Sequence, residues 1–429
     1  MKLRTRTALA GFTVSCAFAL SIAGCGSGSS GGSAGSGGSG GSAADPGVNT
    51  STKTVTVGIT GPKTGPLASL GESLTAEEAL VNKVNAAGGV NGWKIKFISL
   101  DDQWQPAVGV SDYKQLIDSD HVFALAGGAG PGLVAALPFI EQDGVPLVGA
   151  NLLTSVIHVN FPQTQSLTSY TPLEAALSAF NTTYAASKLG AKSVSFVGES
   201  GEVDLNYAPG VTLGAKNAGI KAAASIPIPA SSTDLSSYAA QLKNANANAV
   251  VAFLPPNLLP SLVKATSAIG YYPKWVAAFY DNNPSLYSLY GSQLSNVYFV
   301  SLFDSMTSGT PGITAMLATL RKYSTDHGPT AQAVFGYIGM SLFLDALQQA
   351  TANGKTPTRA SLLSIIHSGQ TFNPGNLGLI VKYPKGGTAT PVGQTASIQQ
   401  IQNGKSVTVF GPSPLPNVPE QYIKASRIG

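Results

Sequence analysis

Cysteine is nearly missing from this sequence: there are two, Cys16 and Cys25. Cys16 falls in a leader expected to be removed, and a chain left with one cysteine forms no internal disulfide. Charge is scarce too, at 11% of residues, and neither sign dominates, with 25 Lys and Arg against 21 Asp and Glu. Loss of Lys2, Arg4 and Arg6 with the leader leaves 22 basic groups against 21 acidic ones. With no single-sign field, nucleic acid is not an expected partner. The four histidines, His121, His158, His327 and His367, are widely spaced. None has a His or Cys partner at metal-site spacing, so no metal or other cofactor is expected. No long apolar run crosses the body of the chain. The stretches near 247–256 and 333–347 are interrupted by Asn, Pro, Gly or Asp, which argues against a membrane span. Gly198-Glu199-Ser200-Gly201-Glu202 has only part of a nucleophile elbow, because Glu202 stands where GxSxG needs its last glycine. Nothing pairs Ser200 with a histidine, and an enzyme is not expected. Hydrophobic residues reach 43%, ample for a packed core and too many for a disordered chain. The length suggests two or three domains or lobes.

What is present begins with an address. Lys2, Arg4 and Arg6 form a positive region, and Ala8 to Ile22 is apolar or small but shorter than the roughly 20 residues of a spanning helix, as in a secretory leader. Ser21-Ile22-Ala23-Gly24-Cys25 resembles the bacterial lipobox, which implies a lipidated Cys25 at the mature N-terminus. An ordinary signal peptide with a chance cysteine is the alternative. Residues 26–48 are dominated by Gly and Ser, which bury nothing, and such a tether has a root-mean-square reach of about 30 Å. The expected layout is a leader at 1–24, then a lipidated cysteine and tether at 25–52, holding the folded body at the outer face of the cell membrane.

From residue 53 the pattern alternates. Lys53 to Thr60 reads as a strand, 72–87 as a helix stopped by Gly88-Gly89, and Lys94 to Leu100 as a second strand ending at Asp101-Asp102. A helix at 105–118, a strand at 122–126, a helix at 131–142 and a strand at 146–150 follow. A second series starts at strand 193–198 and continues through helix 206–218, strand 221–226, helix 234–245, strand 248–254, helix 257–269 and strand 274–278. Two such series predict an α/β protein of two doubly wound, Rossmann-like lobes, with ligand held outside the carboxyl ends of the strands.

Two segments carry a family likeness. Thr64-Gly65-Pro66-Leu67-Ala68-Ser69-Leu70-Gly71 follows the first strand, and Asn85-Ala86-Ala87-Gly88-Gly89-Val90-Asn91-Gly92 precedes Lys94 and Asp101-Asp102. In both sequence and spacing the chain resembles the leucine/isoleucine/valine-type solute-binding proteins of ABC importers, which have the type I periplasmic-binding fold. Glu141 to Pro146 and Thr330 to Leu347 are similar to further family segments, and the likeness covers roughly 53–410. The resemblance implies a chain that crosses between lobes three times. One lobe would hold 53–167 with 303–385, and the other 168–302 with 386–429. The crossings would act as a hinge that closes on ligand.

The resemblance also implies site positions. In amino-acid-binding members a Ser and a Thr of the first lobe hold the carboxylate and an acid of the second lobe holds the ammonium. The Ser position falls at Ala129-Gly130, where no side chain remains and backbone N–H groups either cradle an anion or form a plain tight turn. A dinucleotide loop does not fit, since Gly127 to Gly132 lacks GxGxxG. The Thr position falls at Asn151 and Leu152, and the acid near Tyr280, with Asp281 beside it. Ser69 and Leu70 leave a strand's carboxyl end. Phe253 and Pro255 offer apolar walls. Trp104 and Tyr207 are either ligand contacts or core. The implied ligand is a small, weakly polar or aromatic carboxylate or amide rather than a simple branched-chain amino acid. The implied partners are an ABC permease and its ATPase, with the chain itself a monomer. A sensor module signalling through a separate membrane protein is the alternative, since a fold does not fix a function.

Overall fold

The computed structural model describes residues 44–65, 67–256, 258–324, 330–388 and 390–428. The leader, Cys25, the tether up to residue 43 and His327 lie outside the described residues. Along the chain come β1 (Val48–Asn49), β2 (Thr54–Gly61), α1 (Glu72–Ala86), β3 (Lys94–Asp101), α2 (Pro106–Lys114), β4 (Ala124–Ala126), α3 (Pro131–Gln142), β5 (Leu147–Ala150), α4 (Thr154–Asn160) and β6 (Leu167–Ser169). Strands β3, β2, β4, β5 and β6 lie side by side and parallel, and short β1 runs antiparallel to β2. The second lobe continues with α5 (Glu174–Lys188), β7 (Ser193–Glu199), α6 (Glu202–Ala218), β8 (Lys221–Ile228), α7 (Ser236–Ala245), β9 (Ala249–Phe253), α8 (Leu258–Ala268), β10 (Lys274–Ala277), α9 (Tyr287–Tyr290) and β11 (Val297–Ser301). Then α10 (Pro311–Tyr323), α11 (Ala331–Ala350), α12 (Arg359–Ile366) and the paired strands β12 (Thr371–Phe372) and β13 (Val381–Lys382) return to the first lobe. Finally β14 (Thr395–Gln402) and β15 (Lys405–Pro414) form a hairpin on the edge of the second sheet, whose order is β15-β14-β11-β10-β9-β7-β8.

The local chemistry follows from the sequence pattern. In β2 the side chains of Val55, Val57 and Ile59 are fully buried, as alternation requires of a strand packed under helices. Helix α1 ends where Gly88 and Gly89 take φ of 107° and 85°. At Gly89 a Cβ would lie 2.2 Å from the Trp93 carbonyl oxygen, so the reversal needs glycine. Asn85 then donates from Nδ2 to the Ile95 carbonyl at 2.8 Å and accepts the Ile95 N–H at 2.9 Å, clamping α1 to β3. One apolar cluster runs from Val55 and Val57 in the first sheet to Val194 and Phe196 in the second.

Three expectations need correction. The body begins before residue 53: Asp45 accepts the Arg359 N–H at 2.6 Å, and Gly47 packs against Val122 and Phe123. Helix α6 starts at Glu202 rather than 206, because Gly201 with φ of 112° turns the chain at once after β7. The segment 386–429 does not lie wholly in the second lobe. Its end returns to α4, where Arg427 donates to the Val159 carbonyl at 2.7 Å and Asn160 donates to the Ser426 carbonyl at 2.9 Å.

Two of the crossings between lobes bond to each other, and α4 bonds to the first of them. Thr154 donates to the Thr171 carbonyl at 2.6 Å, Tyr383 to the Ser169 carbonyl at 3.0 Å, and Gln394 to the Tyr170 carbonyl at 2.7 Å. Glu174, fully buried at the start of α5, accepts the N–H groups of Thr154 and Ser155 at 3.1 and 2.9 Å, so the second-lobe helix satisfies the first turn of α4. Burial raises the Glu174 pKa, opposed by these hydrogen bonds and that of the Ser155 hydroxyl.

Candidate functional site

The carboxyl ends of β2, β4 and β5 face those of β7, β9 and β10 across a cavity of about 410 Å³. The first lobe contributes Leu67 and Leu70 after β2, Trp104 after β3, Ala129 to Pro131 after β4, and Asn151 to Leu153 after β5. Glu199 to Ser200, Glu202 and Val203, Pro255-Pro256 and Tyr280 face them from the second lobe, and Gln332 and Phe335 from α11. A larger concavity of about 650 Å³ lies between α4 and the C-terminal tail, lined by His158, Glu420 and Arg427 among others. It sits away from the carboxyl ends of both sheets, where open α/β folds hold their ligands, so the interlobe cavity is the candidate site.

The paired aspartates build its first-lobe rim. Asp101 accepts the N–H groups of Lys63 and Thr64 at 2.8 and 3.2 Å and the Thr64 hydroxyl at 2.6 Å, fixing the loop after β2. Burial pushes its pKa up, but those hydrogen bonds outweigh it and the net shift is downward. Asp102 accepts the Trp104 N–H at 2.8 Å. This holds Trp104 at φ of 60°, following Gln103 at 52°, two non-glycine residues in the left-handed region that cost about 1–2 kcal/mol each. The consequence is a fixed indole. A Cβ on Gly130 would lie 2.7 Å from two ring carbons of Trp104, so the ring occupies the space of a side chain at 130.

Of the candidates read from sequence, Leu70, Trp104, Ala129, Gly130, Asn151, Leu152, Pro255 and Tyr280 line the cavity, whereas Ser69, Tyr207, Phe253 and Asp281 do not. Ser69 is exposed in the one-turn helix Ala68–Gly71. Tyr207 is stacked on Phe253 with centroids 3.8 Å apart, and Phe253 also meets Phe196, so both belong to the core. The earlier start of α6 turns Tyr207 inward. Asp281 is wholly buried, its carboxyl oxygens have no hydrogen-bond partner, and burial pushes its pKa well up. It offers a ligand no anchor.

Sequence reading missed Glu199, Glu202, Gln332 and Phe335. The first two follow the carboxyl end of a strand, as the loop at 64–71 does, and that parallel was available. No such signal marked Gln332 or Phe335 on α11. Glu199 is half-buried and its pKa is raised by desolvation. Among the described residues no Lys, Arg or His lines the cavity.

The arrangement of two parallel-sheet lobes, bonded crossings and an interlobe cavity meets a direct counterpart in comparison. Residues 54–405 match the family model described as periplasmic binding protein. The chain belongs to that family. Among curated relatives, a Leu/Ile/Val-binding protein homolog from Brucella abortus is 25% identical over 373 residues, spanning 81% of this chain and 89% of the relative. A match to an amino acid binding protein of Pseudomonas aeruginosa, 39% identical, is confined to 74 residues and spans a fifth (20%) of that protein. Among solved structures, a fatty acid ABC transporter substrate-binding protein from Thermomonospora curvata aligns with a TM-score of 0.75 at 22% identity, covering 86% of this chain and 93% of that one. An ABC transporter solute-binding protein from R. palustris in complex with 4-hydroxybenzoate aligns with a TM-score of 0.70 at 20% identity, covering 83% and 96%. These likenesses carry the fold. No helix of the described residues is long and apolar enough to cross a membrane.

Proposed function

We propose that the protein is the extracytoplasmic substrate-binding component of an ABC importer, held at the outer membrane face through a lipidated Cys25. It captures a small, largely apolar ligand between its lobes by hinge closure and delivers it to a permease driven by its ATPase. The two outcomes of closure, open and liganded-closed, give the permease something to distinguish.

The observation that carries the ligand reading is the wall of the cavity. Trp104 fills the space beside Gly130 where a side chain could meet a carboxylate, and Glu199 and Glu202 face the cavity with no cation opposite among the described residues. An anion there meets two carboxyls and nothing to neutralise it, while aromatic and aliphatic walls suit an apolar body. A weakly polar amide therefore fits better than a carboxylate, and a simple branched-chain amino acid fits poorly because Asp281 is out of reach. The named ligand classes of the relatives, fatty acid and 4-hydroxybenzoate, share the apolar body but carry a carboxylate head, so the amide reading rests on the walls of this cavity.

Calorimetric titration with leucine, isoleucine and valine, alongside aromatic and aliphatic amides and acids, tests this. Micromolar or tighter binding of any branched-chain amino acid overturns the ligand reading. Binding of an amide, with a melting temperature that climbs as RT ln(1 + [L]/Kd), supports it.

A further inference from the structure

Below the cleft lies a second, much smaller cavity of about 30 Å³, which shares Leu70, Ala129, Asn151, Gln332 and Phe335 with it. It is lined by Glu77 of α1, 1% exposed, whose Oε2 has no hydrogen-bond partner. Asn151, 8% exposed, also lines it, and the Asn151 Oδ1 likewise has no partner. No lysine, arginine or histidine lines it among the described residues. Room for the carboxyl is made by the backbone: Gly127 has φ of 78°, and a Cβ there would lie 2.3 Å from Glu77 Oε1.

Two buried polar groups that face one cavity without partners are costly unless something completes them. A water needs about 10–15 Å³, so the cavity holds about two water-sized atoms. That is the size of the two terminal atoms of a planar polar head. An anionic head would meet Glu77 with no cation among the described lining residues. A cationic head would require an ionised carboxylate that receives no other hydrogen bond in an apolar surround. A neutral carboxyl donates once and accepts once, and Asn151 Oδ1 accepts. A carboxamide answers all three, donating through its two N–H groups and accepting through its oxygen.

We infer that this side cavity is the head-group subsite of the ligand, where Glu77 and Asn151 together hold an uncharged primary carboxamide while the apolar body fills the cleft above. The inference rests on the reading of the cleft as the capture site. Burial raises the Glu77 pKa well above the ordinary carboxylate value, which favours the neutral carboxyl and agrees with the geometry.

The test is calorimetric titration of the purified chain with two matched sets: phenylacetamide, phenylacetate and 2-phenylethylamine, then hexanamide, hexanoate and hexylamine. The amide is expected to bind about tenfold or more tightly than its partners in at least one set, the usual effect of leaving a buried polar group unpaired. Glu77→Leu should bring the amide within about threefold of the others, and Glu77→Gln should weaken it less. Asn151→Leu provides the same loss of preference should Glu77→Leu fail to fold. An acid or amine that binds more tightly than its amide overturns the inference, and so does an amide preference that survives both Glu77→Leu and Asn151→Leu. In either case the capture function stands. If no compound of either set binds the wild-type chain, the ligand reading of the cleft falls and this inference with it.

Discussion

Replacing Gly130 by alanine separates the backbone from the indole as causes of the cleft's shape. Gly130 precedes α3 with φ of 93° and ψ of 177°, a region open essentially to glycine alone. Forcing a side chain into it costs about 1–3 kcal/mol. The new Cβ also lies 2.7 Å from two carbons of Trp104 and 3.1 Å from a third. Overpacking of that kind adds about 1–3 kcal/mol. Trp104 yields only by releasing the Asp102 hydrogen bond or moving into the cavity. Gly130→Ala should therefore destabilise by about 2–6 kcal/mol in urea unfolding, with the midpoint lowered and the slope unchanged. Trp104→Ala should relieve the steric part and leave the backbone part. A double-mutant cycle then returns a coupling of about 1–3 kcal/mol. A loss below about 0.5 kcal/mol in Gly130→Ala, the ordinary scatter of surface changes, would refute the packing argument, and so would a cycle with no coupling.

Other perturbations follow from the same structure. Because the Asp281 pKa is raised by burial, the folded state holds that proton above the ordinary carboxylate value near 4, and stability is lost as pH rises beyond it. Asp281→Asn should gain on the wild type as pH rises above the ordinary carboxylate value near 4, by up to about 1.4 kcal/mol per pH unit, read as melting temperature against pH; a gain independent of pH contradicts the cause given. Tyr207→Phe removes a buried hydroxyl without a partner, so stability should hold or rise and ligand affinity should stay within about twofold, whereas a tenfold affinity loss would return Tyr207 to the site. Deleting residues 416–429 removes the tail that bonds α4 and also donates the Ser426 N–H to Glu202 at 3.1 and 3.2 Å. The bridge between lobes is the one Ser426 N–H shared by the two Glu202 oxygens, and a hydrogen bond of about 0.5–1.5 kcal/mol predicts affinity about two- to tenfold weaker, with small-angle scattering showing a more open ligand-free form; unchanged affinity denies the tail a part in closure.

The architecture was legible because its signals are local. Alternation in Val55, Val57 and Ile59, the Gly88-Gly89 stop and the flat apolar run of β9 each announce an element without knowledge of its neighbours. Asp101-Asp102 was visible as a motif, but its work was not: one aspartate binds the loop before it in space, and the other props up Trp104. Both contacts depend on where loops from distant strands meet. Helix α5 was missed because Ala, Ser, Thr and Asn dominate it, yet most of its residues are buried. Small side chains on every face of a helix leave no amphipathic stripe to read. The site was legible in its first lobe, where loops follow strands closely. In the second lobe a four-residue error at the start of α6 exchanged Glu202 and Val203, which line the cavity, for Tyr207, which does not. Glu77 was hidden for another reason: beside Glu78 in α1 it reads as part of a solvated face until the partner helix α11 is known to cover it.

The central claim is capture of an apolar, uncharged ligand between the lobes. Native mass spectrometry of protein purified without refolding measures it most directly, because a closed cleft retains what it binds. The account predicts a stoichiometric mass adduct that is lost on unfolding and is identified, once released, as a neutral amide-bearing molecule with an aromatic or aliphatic body. A retained α-amino acid or an organic carboxylate in its place contradicts it.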